Sequence, residues 1–536
     1  MASSIETAIT TSTDIPIARP EKQYTDTSPN SNGSAHTQTN GHTNGTPNGS
    51  APLPTGTKYN HVVAVHRKVR ASCLSQDAEK PPSFVGFRNL MILVLRTPTH
   101  PSLAKLQANI FLAVVSNLRL MIENFRKARM IYGVLICIRC HDYRRQDVVY
   151  GSILYFLVPC HLFVAYVIEL VAAQQAKGAI AQIKKAESPE DLAAKRDKFR
   201  STWGLVAFAH GLNATLNLII ASTVVYYHIH HPGIGTVCEL HAIIVWLKTC
   251  SYAFTNRDLR HALLDDSDTA PLPELYKSCP YPKNIALRNL MYFWWAPTLV
   301  YQPVYPRTET IRWPFVFKRV AEAVGLSIVI WIASAQYASP LLKNSLDKIA
   351  TLDLVSILER MLKLSTISVF CWLAGFMVLF HSFLNALAEI MRFGDREFYT
   401  DWWNATSIRS YWTMWNKPVT TFMRRHVYQP LVGRGCPKSL ALMTVFLFSG
   451  ALHELLVGVP THNIIGVAFA GMLLQIPLVV VTDPLSRMKG VNGKVIGNLT
   501  FWISFCLVGQ PLAALLYFFA WQAKYGSVGK PLLWQQ

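Results

Sequence analysis

About nine stretches of this chain are apolar for roughly 20 residues or more each, and that pattern decides most of what it can fold into. They fall near 103–123, 147–173, 203–228, 233–255, 316–337, 365–391, 439–459, 462–482 and 495–520. A helix of that length crosses ~30 Å of hydrocarbon and satisfies its backbone N–H and C=O groups along its own length, as lipid demands. The expected fold is therefore all-α: a polytopic membrane protein of about nine transmembrane helices. A hydrophobic fraction of 51% with only 15% charged residues agrees with this and argues against a soluble multidomain chain. A further aromatic stretch, 289–301, is broken by Pro297 and reads as an interfacial or re-entrant helix.

Residues 1–57 are rich in Ser, Thr, Asn and Gly, too polar to bury a core, and are expected to form a disordered cytosolic tail. A cytosolic or interfacial segment, 58–102, leads into the membrane domain, 103–536. The net charge is +20, yet the tail sets Arg19 and Lys22 against Glu6, Asp14, Glu21 and Asp26, so the excess lies on the membrane part. That excess suits anionic lipid or a phosphorylated substrate. Nucleic acid is not expected, because the basic residues lie between apolar spans without a recognisable binding module. Cys137 and Cys140 form a lone CxxC with no partners at zinc spacing, read as reduced thiols, so no metal site is expected.

Basic loops set the orientation. The segment holding His66, Arg67, Lys68, Arg70, Arg88 and Arg96, the 177–202 loop and the 392–438 loop share one side in a nine-span count. That side should be cytosolic, with the C-terminus luminal. Residues 126–145, with Arg126, Lys127, Arg129, Arg139, Arg144 and Arg145, fall on the other side. Either this loop is an exception or one early span is miscounted.

Polar groups inside the spans carry the functional signal. His453 and Glu454 interrupt the apolar run 440–460, and an ionisable group at that depth costs roughly 2.5 kcal/mol or more unless something compensates it. His381, Asn385 and Glu389 repeat every four residues, forming one stripe on the sixth span. Such a stripe is either a hydrogen-bonded seam or a substrate contact. Gln475 and Gln510 are packing amides or point at a reaction centre, while His161 and His210 stand alone and read as satisfied core histidines. Between the sixth and seventh spans, residues 391–438 hold eight basic and ten aromatic residues against three acids. Trp402, Trp403, Trp412 and Trp415 suit the headgroup region, and arginines can grip phosphates.

The heptad Phe398-Tyr399-Thr400-Asp401-Trp402-Trp403-Asn404, followed about 50 residues later by His453-Glu454, resembles the signature of membrane-bound O-acyltransferases of the sterol and diacylglycerol acyltransferase branch. The likeness extends from His66-Arg67 through Ser116-Asn117-Leu118-Arg119 to Gly509-Gln510-Pro511. Arg425-His426-Val427-Tyr428 and Gln475-Ile476-Pro477-Leu478 resemble the type-1 diacylglycerol enzymes more than the sterol enzymes. After Asn416-Lys417-Pro418-Val419 the family commonly has a His and a basic residue, where this chain has Thr420 and Thr421.

The resemblance implies transfer of a fatty acyl group from acyl-CoA, a substrate rather than a cofactor, to the hydroxyl of diacylglycerol. A sterol acceptor is the alternative, and a transporter or channel the reading from another class. An alcohol needs a base poised against it, and a neutral imidazole at His453 can serve. Asn404, Gln475 and Gln510 are implied near the reaction centre as neutral donors to the thioester oxygen. Glu454, about 100° round the helix from His453, is the third catalytic candidate, orienting a partner or pairing with the sixth-span stripe. Trp403, Lys417, Arg424 and Arg425 are candidates for coenzyme A contacts, and His381 and Asn385 for substrate contacts. A homodimer or homotetramer in the endoplasmic reticulum membrane is implied as well.

Overall fold

A computed structural model of the chain describes residues 144–183, 199–264, 278–343, 354–487 and 491–525, with residues 185, 188, 190 and 276 between them. The 1–57 tail, the 58–102 segment, the expected first span at 103–123 and the Cys137–Cys140 pair lie outside the described residues.

The described residues are helical, with a single isolated bridge between Arg307 and Phe393 and no strand. Helix α1 (Arg145–Leu157) and α2 (Cys160–Ile183) run on across Pro159 as one span. Helices α3 (Arg200–His228) and α4 (Pro232–Leu264) form an antiparallel pair joined at residues 229–231. Next come α5 (Leu287–Trp295), α6 (Trp313–Ala333) and α7 (Leu354–Phe376), which passes through a π-helical stretch, Met377–Phe383, into α8 (Leu384–Ile390). The connecting loop holds α9 (Ile408–Met414) and α10 (Lys417–Phe422). Helices α11 (Lys438–Gly458), α12 (Val467–Leu473), α13 (Gln475–Arg487), α14 (Val491–Ile503) and α15 (Gln510–Tyr525) complete the described chain.

Seven helical segments of the described residues are long and apolar enough to cross a membrane. They match seven of the nine expected spans, and 103–123 is outside the described residues. The ninth, 316–337, falls on α6, which has the length but carries Lys318, Arg319 and Glu322 within two turns. Part of the charge is neutralised locally, because buried Arg319 pairs with Glu322 at 2.7 Å, while Lys318 is exposed.

Small residues let the first helices pack closely. Helix α2 buries Ala165, Ala172, Ala176 and Ala179, the kind of stripe that substitutes for hydrophobic drive in lipid. Between them Glu169 pairs with Arg260 of α4 at 2.7 Å, and His210 of α3 stands 3.6 Å from the same carboxylate. His210 is thus a buried histidine beside an ion pair formed by α2 and α4. His161 does find a satisfied place, with Nδ1 at 2.8 Å from Asn213 Oδ1.

The aromatic 289–301 stretch becomes the nine-residue α5, far too short to span. Its C-terminal carbonyls meet a buried ammonium: Lys248 Nζ of α4 donates to the oxygens of Phe293, Trp294 and Ala296, each at 2.8 Å. Three orphan carbonyls and a negative helix end are satisfied at once.

Breaks in the later helices follow the prolines. Pro477 offers no N–H and crowds the carbonyl four residues back, and the helix parts at Leu474, between α12 and α13. At Pro511 the helix does not part but widens just before the proline into the π-helical stretch Ser504–Gly509. Gln475 and Gln510 therefore both begin a helix just before a proline.

Helix α11 sets the two ends of the bundle. Its N-terminus follows the 391–438 loop, and its C-terminus leads to His462, whose ring lies 5.3 Å from that of His230. His230 contacts Arg144, so the described end of the 126–145 loop lies opposite the 391–438 loop. For Arg144 the exception to the basic-side rule is real.

Candidate active site

His453 lies on α11, half-buried, five residues before the helix ends. Its Nδ1 stands 2.8 Å from the carbonyl oxygen of Ser449, one turn back. A carbonyl only accepts, so Nδ1 carries the proton and Nε2 keeps its lone pair. Among the described residues Nε2 has no hydrogen-bond partner. The ring is a neutral base with its accepting nitrogen open.

Glu454 sits about 100° round α11 from His453. On α11 the buried residues Gly450, Glu454 and Gly458 form a stripe packed on α12. A Cβ at Gly450 would stand 3.0 Å from the Phe469 ring, and one at Gly458 would stand 3.0 Å from Glu454 Oε1. The carboxylate accepts from the N–H of Gly466 at 2.8 Å, the N–H of Phe469 at 3.2 Å and the hydroxyl of Tyr517 at 2.7 Å. Gly466 is the N-cap of α12 with φ of 76°, a left-handed conformation that glycine takes without penalty. Glu454 thus closes the turn into α12 and ties it to α15. Of the two alternatives, orienting a partner or pairing with the sixth-span stripe, the hydrogen bonds among the described residues show Glu454 joined to the turn into α12 and to α15.

The heptad is the structural centre of the loop. Phe398 and Trp402 are buried, and the Trp402 indole meets Trp372 edge-on at 5.1 Å and Phe376 at 5.2 Å. A headgroup position for Trp402 is therefore corrected: it is a core anchor, while Trp403, Trp412 and Trp415 are half-buried against the same core. Asn404 ends a short 3₁₀ turn, Trp402–Asn404, with its side chain exposed. Asn498 of α14 donates to the carbonyls of Trp403 at 3.2 Å and Ala405 at 2.8 Å.

Trp412 joins the loop to the site helices. Its ring lies 6.0 Å from that of Phe446 on α11, and its Nε1 donates to Gln475 Oε1 at 3.3 Å. Phe446 and His453 are seven residues apart, hence on one face of α11 about 10 Å apart along its axis. Gln475 Nε2 also donates to the Gly471 carbonyl at 3.2 Å, which leaves one amide N–H for another acceptor. Gln510 begins α15 just before Pro511.

The sixth-span stripe is hydrogen-bonded to its neighbours. Arg319 NH1 donates to His381 Nε2 at 2.5 Å, and a guanidinium only donates, so His381 carries its proton on Nδ1 and gives it to Tyr399 Oη at 2.7 Å. Burial pushes the Tyr399 phenol up to about 12, so it keeps its own proton. Asn385 turns back to the His381 carbonyl at 2.8 Å. Glu389 joins Arg312 at 2.9 Å to Arg396, fastening α8 to the loop and to the start of α6. The coenzyme A candidates separate by environment. Arg424 is exposed, Lys417 is ion-paired with Glu397, Trp403 is half-buried, and Arg425 is buried against Tyr276.

Ser449, Tyr517, Lys248 and Asn498 escaped the sequence reading. Lys248 and Asn498 left a signal, a charge and an amide inside apolar runs. The Ser449 contribution is a backbone atom and leaves none.

Comparison with known proteins completes the picture. The membrane-bound O-acyltransferase family model matches residues 267–519. The chain is 34% identical to diacylglycerol O-acyltransferase 1C of Glycine max over 470 residues, covering 88% of this chain and 81% of that protein. It is likewise 34% identical to diacylglycerol O-acyltransferase 1 of Arabidopsis thaliana over 486 residues, covering 88% and 79%. Identity to the Dictyostelium discoideum protein named diacylglycerol O-acyltransferase 1 is 32% over 453 residues, covering 84% and 64%. With helices long and apolar enough to cross a membrane, the aromatic heptad and a histidine within the apolar helix α11, this chain belongs to the membrane-bound O-acyltransferase family.

Proposed function

We propose that this protein transfers a fatty acyl group from acyl-CoA to the free hydroxyl of diacylglycerol, making triacylglycerol. One observation carries the chemistry: His453, at bilayer depth, holds its proton on Nδ1 against Ser449 and leaves Nε2 open to accept one. The relatives named diacylglycerol O-acyltransferase 1 support the acceptor.

Nε2 takes the hydroxyl proton as the alcohol oxygen attacks the thioester carbonyl, forming the new C–O bond. The tetrahedral oxyanion then collapses, the C–S bond breaks, and the coenzyme A thiolate recovers the proton from Nε2. Asn404, the spare N–H of Gln475 and the amide of Gln510 act as neutral donors to the oxyanion. Neutral donors add no unpaired charge at that depth. Coenzyme A, which carries phosphates, enters from the aqueous end that bears the 391–438 loop. There Trp403, Lys417 and Arg424 contact it, and buried Arg425 holds the loop in shape. His381 and Asn385 support the heptad through Tyr399 and the helix backbone. Diacylglycerol reaches Nε2 sideways from the bilayer.

The protein resides in the endoplasmic reticulum membrane as a homodimer or homotetramer, with the N-terminal tail and the 391–438 loop cytosolic. The test supplies membranes containing it with labelled acyl-CoA and either diacylglycerol or sterol, beside His453→Ala. Labelled triacylglycerol that disappears in the variant is the expected result. Sterol ester in its place overturns the acceptor, and full activity in the variant removes the base.

A further inference from the structure

Asn498 lies outside the residues that the proposed chemistry uses, yet its amide has a specific target. It donates to the carbonyls of Trp403 and Ala405, the residues on either side of Asn404. Next to it, a Cβ on Gly497 would run into the Thr406 carbonyl, so a side chain at 497 would force α14 off the loop. Three residues on, the N–H of Ile408 donates at 3.2 Å to Thr482 Oγ1, a buried group on α13. The 403–408 backbone is thus held from outside by two membrane helices. Its local bonds run from Asn404 N–H to the Asp401 carbonyl and from Ala405 N–H to the Trp402 carbonyl, each at 3.0 Å, and, where α9 begins, from Ser407 N–H to Ser410 Oγ at 3.1 Å. The Asn404 side chain makes no hydrogen bond among the described residues.

We infer that Asn498, seated by Gly497, is a positioning residue that fixes the backbone flanking Asn404 and so aims its amide at the thioester carbonyl, a role that rests on the one proposed for Asn404. An oxyanion donor works only over a few tenths of an ångström, and a misplacement of ~1 Å costs about 100-fold in rate. A seam amide that only glued helices together would influence folding and leave turnover per folded molecule alone.

A double-mutant cycle on the purified full-length protein tests this, with kcat and acyl-CoA KM measured per folded molecule for Asn404→Ala, Asn498→Ala and the double variant. Asn498→Ala should lower kcat by about 10- to 100-fold with KM nearly unchanged, and should cost nothing further when Asn404 is already Ala. Asn498→Leu, similar in size and apolar, carries the same cycle where the alanine variant does not purify folded. Equal losses in both backgrounds, or full kcat without Asn498, overturn the inference. Full activity in Asn404→Ala overturns the oxyanion role of Asn404 itself, an outcome recognisable before Asn498 is touched.

Discussion

The carbonyl oxygen of Ser449 lies 2.8 Å from Nδ1 of His453, while the Ser449 hydroxyl is 3.4 Å from the same nitrogen. The tautomer of the base is therefore written into the helix backbone and owes little to the serine side chain.

This separates two substitutions that look equivalent on paper. Ser449→Ala should keep acyl transfer within about threefold, because the backbone carbonyl remains. His453→Ala should lose about 10²- to 10⁴-fold, the usual contribution of a positioned base. A large loss in Ser449→Ala, measured as initial rate of labelled triacylglycerol formation, would contradict the backbone assignment.

Glu454 is predicted to matter for stability first. Truncation to Ala leaves two backbone N–H groups and the Tyr517 hydroxyl without their acceptor, at a cost of about 3 kcal/mol. Tyr517→Phe should cost about 1 kcal/mol, and the two together less than their sum, since they share a bond. Thermal unfolding in detergent reads both. An unshifted Glu454→Ala with no turnover would instead give the carboxylate a chemical role.

Lys248→Met should destabilise by about 3 kcal/mol or more. Methionine fills similar space but leaves the carbonyls of Phe293, Trp294 and Ala296 without a donor. Limited proteolysis should then cut near α5 before the spans, and a cleavage pattern like the parent's would count against the cap.

Trp402 and Trp403 are adjacent and should behave differently. Trp402→Ala opens a cavity among Trp372, Phe376 and Tyr411 and should cost about 3–5 kcal/mol. Trp403→Ala, at a half-buried position, should cost clearly less while raising KM for acyl-CoA. The ranking of unfolding temperatures checks the first statement and steady-state kinetics the second.

Much of this architecture was legible in advance, because hydropathy over 20 residues is a strong signal and seven spans emerge where it placed them. His453 was legible for the same reason, as a costly group in an apolar run. The function of Glu454 was not. Its acceptor bonds reach residues 12, 15 and 63 positions away, and no local pattern encodes such pairings. Trp402 misled because composition cannot tell a buried indole from an interfacial one; only packing against Trp372 and Phe376 does that. The apolar helix α6 fell between classes because three charges sit near its start, of which Arg319 meets Glu322 and His381 while Lys318 is exposed.

The last two helices touch both ends of the site. Asn498 grips the heptad turn, and Tyr517, nineteen residues later, holds the carboxylate beside His453. Between these two contacts lies the π-helical stretch Ser504–Gly509. The heptad turn and the turn into α12 are thus fastened to one continuous length of chain, and a displacement of that stretch would reach both turns at once.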